Sequence, residues 1–221
     1  MKSHTVRFLV LAGLLAGAQA HAGQVSLSNE GFEADWIAPT TGGTDYQVTF
    51  YYAPTGPEVA STFNGGAGVA AGYSLISAYQ RSRFGFLQVG NPSDPFGNSG
   101  SWISQSFNLT SAADVALSFA MALRPGYQAG QSVAVALDGQ ILTFFTATPG
   151  WSVKTLNLGV LASGTHTLGF AGMAAYNAYG DTTAYLDAVQ LSAAPVPEPE
   201  TWVMLLAGLG LMGWGAARKR A

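Results

Sequence analysis

Between Asp114 and Arg124, large and small side chains alternate without a break. Val115, Leu117, Phe119, Met121 and Leu123 fall on one side; Ala116, Ser118, Ala120, Ala122 and Arg124 fall on the other. Successive side chains of a strand point to opposite faces, so this run buries its apolar set only as a β-strand. Ser132–Leu137 repeats the device, with Val133, Val135 and Leu137 set against Ala134 and Ala136. Asp138-Gly139 follows, a pair that favours a two-residue hairpin turn, and leads into a strand over 141–145. The same reading predicts strands at 46–52, 72–79, 83–89, 101–109, 151–158, 165–172 and 183–191. Turn-rich breaks fall at 39–44, 54–57, 64–68, 90–100, 125–130, 147–150 and 174–181. About ten strands at this spacing predict an all-β antiparallel sandwich. Few Lys and Glu among many Gly, Ala, Ser and Thr argue against long exposed helices.

The two ends of the chain read differently. Lys2 and Arg7 precede an uncharged apolar run, Phe8–Ala18. Small residues at Ala18-Gln19-Ala20 and again at Ala20-His21-Ala22 follow at signal-peptidase spacing. This order predicts a secretory signal peptide over 1–22, with signal peptidase as a processing partner. At the other end, Trp202–Ala217 carries no charge and is followed by Arg218, Lys219 and Arg220. The expectation is a single transmembrane helix over 202–217, near the lower limit for a span, with its basic cluster in the cytoplasm. Everything between the two segments then lies outside. Pro197, Glu198 and Pro199 stand just before the span, and residues 192–199 read as an Ala/Pro linker.

Residues 23–194 remain for one domain, long enough for a real core. Its basic residues are Arg81, Arg83, Arg124 and Lys154, against ten acidic ones, a formal charge of −6. No basic patch exists to hold phosphates, which argues against nucleic acid as a partner. The chain has no cysteine, which excludes disulfides, thiol catalysis and Cys-ligated metal. His166 is the one histidine of the domain, so a multi-histidine metal site does not arise within one chain. As a catalytic base it lacks a Gly-x-Ser-x-Gly neighbour and reads as an exposed strand residue. Asn91–Asn98 has oxygen donors but not the carboxylate spacing of an EF-hand. Asn108-Leu-Thr110 fits the N-glycosylation pattern.

Two resemblances follow from these residues. Pro197-Glu198-Pro199, the apolar span and the Arg218–Arg220 cluster, in that order, resemble the PEP-CTERM sorting signal of Gram-negative, exopolysaccharide-producing bacteria. The resemblance covers 196–221. It implies cleavage by an exosortase-type membrane protease, transient anchoring at the inner membrane, and a final place at the cell surface or in the extracellular matrix. Separately, Asn29-Glu-Gly-Phe-Glu33, Phe86-Leu-Gln88, Ser104-Gln-Ser-Phe107, Leu123-Arg-Pro-Gly-Tyr127, Val135-Ala-Leu-Asp-Gly139, Gly164–Phe170 and Gly180–Val189 resemble, in order, the galactose-binding-like jelly rolls of carbohydrate-binding modules. The stretch 36–70 matches neither.

In related jelly rolls the first strand's Asn-x-Gly-Phe-Glu and the last strand's Leu-Asp-x-Val lie side by side and often hold a structural Ca²⁺. Carried over, the ligands are the Glu33 and Asp187 carboxylates and the Gly31 carbonyl. The alternative is that both carboxylates are solvated or hydrogen-bonded. For sugar recognition, Arg124, Tyr127, Tyr176 and Tyr179 are the candidates, with Gln128 and Asn177 nearby. The Ala/Ser faces of 114–124 and 132–137 offer a shallow floor beneath them. These readings point to a non-catalytic envelope or matrix protein that takes an exopolysaccharide or other glycan. A purely structural biofilm protein without a sugar site, and a secreted glycan-active enzyme, remain as alternatives.

Overall fold

A computed structural model describes residues 23–36, 42–45, 48–72, 76–89, 100–126, 131–174, 182–196 and 199–218. The expected signal peptide, 1–22, lies outside the described residues. Thirteen strands and one helix follow in chain order: β1 Gly23–Val25, β2 Gly42–Asp45, β3 Val48–Tyr52, β4 Thr62–Gly65, β5 Ala67–Gly72, β6 Arg83–Val89, β7 Ser101–Leu109, β8 Ala113–Leu123, β9 Gln131–Leu137, β10 Gln140–Thr146, β11 Ser152–Leu161, β12 Gly164–Ala174, β13 Thr182–Pro195 and α1 Pro199–Arg218. The strands form two sheets. The larger runs β11-β8-β13-β6-β5-β3-β2, with β1 also paired to β13; the smaller runs β10-β9-β12-β7-β4. Every ladder between named strands is antiparallel. From β3 onward the chain crosses between the sheets at nearly every step, staying within one sheet only from β5 to β6 and from β9 to β10, which makes the sandwich a jelly roll, as expected.

The alternation in β8 is borne out. Val115, Leu117, Phe119, Met121 and Leu123 are buried between the sheets. Phe119 meets Phe145 of β10 and Phe170 of β12 edge-on, at 5.4 and 5.1 Å between ring centroids, the geometry that aromatic quadrupoles prefer. The Asp138-Gly139 hairpin also forms, with φ of 50° and 81°, the pair of positive angles that a type I′ turn requires.

The outer face of β8 departs from expectation. Ala120 and Ala122 are as buried as the core residues. Ala122 lies with Ala70, Phe84, Phe86 and Tyr185 in a second apolar cluster on the outside of the large sheet, against which Phe50, Tyr52, Ile76, Ala78 and Trp151 pack. Of the strand expected over 72–79, Gly72 ends β5 and 73–75 lie outside the described residues, while residues 76–82 form a cover over this cluster. The 64–68 stretch read as a turn does turn, at Gly66, and leads from β4 directly into β5. Its small residues are a packing requirement. A Cβ on Gly68 would come within 2.6 Å of the Phe86 ring, and one on Gly72 within 2.1 Å of the Ile76 carbonyl. β13 likewise runs on through Ser192–Pro195, which the sequence reads as linker, because β8 and β1 pair with it there.

Phe32 has a left-handed φ of 57°, a conformation costing about 1–2 kcal/mol in a non-glycine residue. Its ring is buried against Gly85, where a Cβ would approach it to 2.9 Å. Burying a phenylalanine contributes about 1.5–3 kcal/mol, enough to hold the strained turn. That turn sends Phe32 inward and leaves Glu33 facing residues 82–83.

Helix α1 forms where the apolar tail is expected, but the tail falls short of a transmembrane segment. Among the described residues no helix is long and apolar enough to cross a membrane. The uncharged stretch 202–217, interrupted by Gly208, Gly210, Gly213 and Gly215, is shorter than the ~20 residues that span a bilayer core. Arg218 folds back over Trp214, at 5.1 Å.

Candidate functional site

The two carboxylates expected to meet do come together around residues 79–83. One Glu33 oxygen accepts the backbone N–H of Ser82 and of Arg83, both at 2.8 Å; the other accepts the Ser82 hydroxyl at 2.9 Å. Asp187 is fully buried. Its oxygens accept the Gln80 amide at 2.8 Å and the Ala188 amide at 2.6 Å. A left-handed Ala188, φ 49°, and a bulge after Asp187 bend β13 at this point. A Cβ on Gly31 would sit 3.6 Å from an Asp187 oxygen, which puts the Gly31 backbone beside the pair. Burial pushes the Asp187 carboxyl up to about 6, against its backbone donors, and the Glu33 charge pushes it the same way. Burial also pushes Glu33 up, but the Ser82 and Arg83 donors and the Arg83 charge outweigh it and hold that carboxyl below its ordinary value. The Arg83 guanidinium in turn lies 4.0 Å over the Trp36 ring. Among the described residues no group of three or more acidic or histidine side chains is placed to hold a metal ion.

The outer face of the large sheet continues from this clamp as an open groove of about 500 Å³ across β11, β8 and β13. In register, Thr155, Ser118 and Gln190 form one row across the three strands; Asn157, Ala116 and Ser192 form the next. Two bulges shape it, one after Asp187 and one after Asn157. Bulges bend a strand and re-aim its side chains. The Asn157 side-chain Oδ1 accepts the Gly159 amide at 2.7 Å, which leaves the NH₂ end of the amide open among the described residues. No charged side chain lines the groove. Beyond it on the same face stand Trp151 and Tyr79, rings 6.1 Å apart. Trp151 donates to the Ser77 carbonyl at 2.8 Å and packs on Phe84, so it fastens the 76–82 cover; Tyr79 is half exposed.

Of the residues expected to bind sugar, Tyr127, Tyr176 and Tyr179 lie outside the described residues, as do Gln128 and Asn177. Arg124 follows the last residue of β8, half-buried, with its amide on the Thr183 carbonyl at 3.0 Å. The loops that follow β6 and β8 and precede β13 all spring from this end of the sandwich, since Val89 pairs with Thr182 and Leu123 with Ala184. The expected single floor is divided between faces. Ala116 and Ser118 line the groove on the large sheet, whereas Ala134 and Ala136 belong to the outer face of the small one. The groove's amides escaped the sequence reading. The signal was there, in outward positions occupied by Asn157 and Gln190 instead of Lys or Glu. Of the tail residues, Pro199 and Arg218 belong to α1, while Pro197, Glu198, Lys219 and Arg220 lie outside the described residues.

Comparison with known proteins places the PEP-CTERM protein-sorting motif on residues 195–220. A search of curated proteins finds no match. Among solved structures, the chain is similar to a CBM61 module in complex with β-1,4-galactotriose, at 13% identity and a TM-score of 0.49, over 76% of this chain and 98% of that one. It is similar to a family 35 carbohydrate-binding module from Clostridium thermocellum at 17% identity and 0.42, over 65% and 96%. It is also similar to an adhesin domain of Lys-gingipain from Porphyromonas gingivalis at 13% identity and 0.44, over 70% and 100%. These likenesses carry no ligand over to this chain.

His166 is not the exposed strand residue the sequence suggests. Its Nδ1 lies 2.8 Å from an Asp138 oxygen and its Nε2 3.0 Å from the Ala162 carbonyl, with the side chain only 13% exposed. Both ring nitrogens face acceptors, so the charged imidazolium satisfies both, and neither is left to activate a serine. Asp138 and the Ala162 carbonyl raise the His166 pKa above its ordinary value of 6.5. A raised folded-state pKa gives stability that is complete below the unfolded value and lost as pH rises through the folded one. The melting temperature of the wild type should therefore fall between pH 6 and pH 8 by more than that of His166→Gln. Equal slopes in the two proteins, followed by circular dichroism, would refute the clip.

Proposed function

We propose that the protein is an exported envelope protein whose jelly roll binds a neutral glycan, without catalysis, in the outer groove of the large sheet. The observation that carries this reading is the chemistry of the groove. Thr155, Ser118, Gln190, Asn157 and Ser192 offer hydroxyl and amide groups on a floor of small side chains, with no charge among them. Such a surface matches the hydroxyls of an uncharged polysaccharide and offers nothing to a phosphate chain. The sorting motif at 195–220 supports a route in which signal peptidase removes the leader, the tail engages the inner membrane, and an exosortase releases the domain to the surface or matrix of a Gram-negative bacterium. Protein recovered from the envelope should then have an intact mass lacking most of residues 199–221. On a glycan array it should bind neutral glycans, and Asn157→Ala/Gln190→Ala should weaken that binding about tenfold or more. An array with no bound glycan would leave a structural surface protein. Release of labelled fragments from a bound glycan would make it an enzyme.

The Glu33–Asp187 clamp is, on this proposal, the site of a structural Ca²⁺. The donor set fits a hard cation: four carboxylate oxygens, one carboxyl fully buried, with the Gly31 backbone alongside. Two N–H donors occupy one Glu33 oxygen, while the other, with the Ser82 hydroxyl alone, keeps a lone pair for the ion. A cation would relieve the repulsion that contributes to the raised Asp187 pKa. It would tie the first turn of the domain to its last strand and to the 76–82 cover. Binding only the folded state, Ca²⁺ at a hundredfold excess over Kd would add about 2.7 kcal/mol, a rise in Tm of roughly 5–10 °C. Chelator should reverse it, and Asp187→Ala or Glu33→Ala should abolish it. A metal-stripped domain whose melting curve ignores both calcium and chelator would leave the clamp as hydrogen bonds alone.

A further inference from the structure

The outer face of the small sheet carries a flat aromatic platform that the groove does not use. Register pairs put Phe144, Ala134, Ala171, Trp102 and Asn64 in one row across β10, β9, β12, β7 and β4. The next row is Ile141, Ala136, Gly169, Ser104 and Thr62. Trp102 leans diagonally onto Gly169. A Cβ there would come within 2.1 Å of Cζ2, 2.3 Å of Cη2 and 3.0 Å of Cε2, so the six-membered ring of the indole rests against the strand backbone. The glycine is what lets the ring lie down. Trp102 itself is only half-buried, so its outer face reaches solvent. Among the described residues its indole N–H makes no hydrogen bond, unlike that of Trp151. Phe144, 55% exposed, stands at the other end of the row, three strands away or about 14 Å at the usual strand spacing. Exposed Thr62 and Asn64 and half-buried Ser104 border the ring, and Ser106 pairs with Thr167 farther along. Neither row contains a charged side chain.

We infer that Trp102 on Gly169 is a second binding platform, taking the apolar C–H face of a pyranose in an uncharged polysaccharide. The indole supplies a flat apolar surface with a free donor at its rim. The bordering amide and hydroxyls meet the sugar's equatorial oxygens. A lipid or protein partner is a poorer fit, because Ala134, Ala136 and Gly169 are already buried and leave no apolar hollow to fill. This extends the glycan-binding reading to a second face but stands on different residues. The two platforms lie on opposite outer faces of one sandwich, so each chain would join two polysaccharide strands.

The test uses the full chain with neutral hexaoses of glucose, xylose, galactose and mannose, titrated by calorimetry, and with the corresponding long polysaccharides in light scattering. The wild type should bind two hexaoses per chain and cross-link the polysaccharide. Trp102→Leu keeps an apolar cover on Gly169 but removes the flat ring. It should bind one hexaose, about tenfold or more weaker at the lost site, and should stop cross-linking while its melting temperature stays close to wild type. Asn157→Ala/Gln190→Ala should lose the other site and leave the Trp102 site intact. If Trp102→Leu does not fold, Trp102→Phe serves, with the loss of a sugar-induced tryptophan fluorescence change as its signature. Two sites and unchanged cross-linking in the Trp102 variants would overturn the platform. Loss of binding in those variants with an unaffected Asn157/Gln190 variant would instead remove the groove and keep the platform. No binding of any hexaose to the wild type would overturn both.

Discussion

Phe119, wedged between Phe145 and Phe170, fixes the register of β8 against both of its neighbours. Side chains alternate with a period of two, so a slip of one residue would turn Phe119 to solvent and drive Ser118 and Ala120 into the core. The core and the groove are therefore one decision. The burial that holds Leu117, Phe119 and Met121 inward is the same constraint that sets Ala116 and Ser118 in the groove floor. β11 and β13 inherit this register on either side, which brings Thr155 and Gln190 level with Ser118.

The inner face was legible in the sequence because alternation is strongest where burial is one-sided. The Asp-Gly turn and the meeting of Glu33 with Asp187 were legible too, the first from its residue pair and the second from a family resemblance. What escaped was everything that depends on non-local cover. The 64–68 break does hold a turn, at Gly66, but β5 after it has no side chain larger than Val69 to announce a strand, and its glycines leave room for Phe86 and for the backbone at Ile76. The 72–79 strand expected from apolar content is instead partly a cover, since its residues meet the outside of the sheet and not an adjacent strand. His166 read as exposed because nothing nearby in sequence announces that the Asp138 turn and Ala162 converge on it. The tail shows the reverse error. Its uncharged run read as a short span, and the helix that forms there, Pro199–Arg218, is not apolar enough over its length to cross a membrane.

Glycine has one role on both outer faces. Phe86 lies over Gly68 on the large sheet, and Trp102 lies over Gly169 on the small one. In each case the missing Cβ lets an aromatic ring settle onto the backbone of a neighbouring strand. The consequences differ because of what surrounds the ring. Phe86 is sealed by Tyr52 and the adjoining cover and adds to a closed cluster. Trp102 has only small and polar neighbours and keeps one face open.

The sorting motif begins where β13 ends, at Pro195. β13 is not an edge strand. It is hydrogen-bonded to β8 on one side and to β6 and then β1 on the other. A domain pulled from that end is loaded along the length of an interior strand. Its ladder bonds must then slide together and cannot be peeled away one at a time. As long as the tail stays joined, a pull on it meets the sandwich in shear.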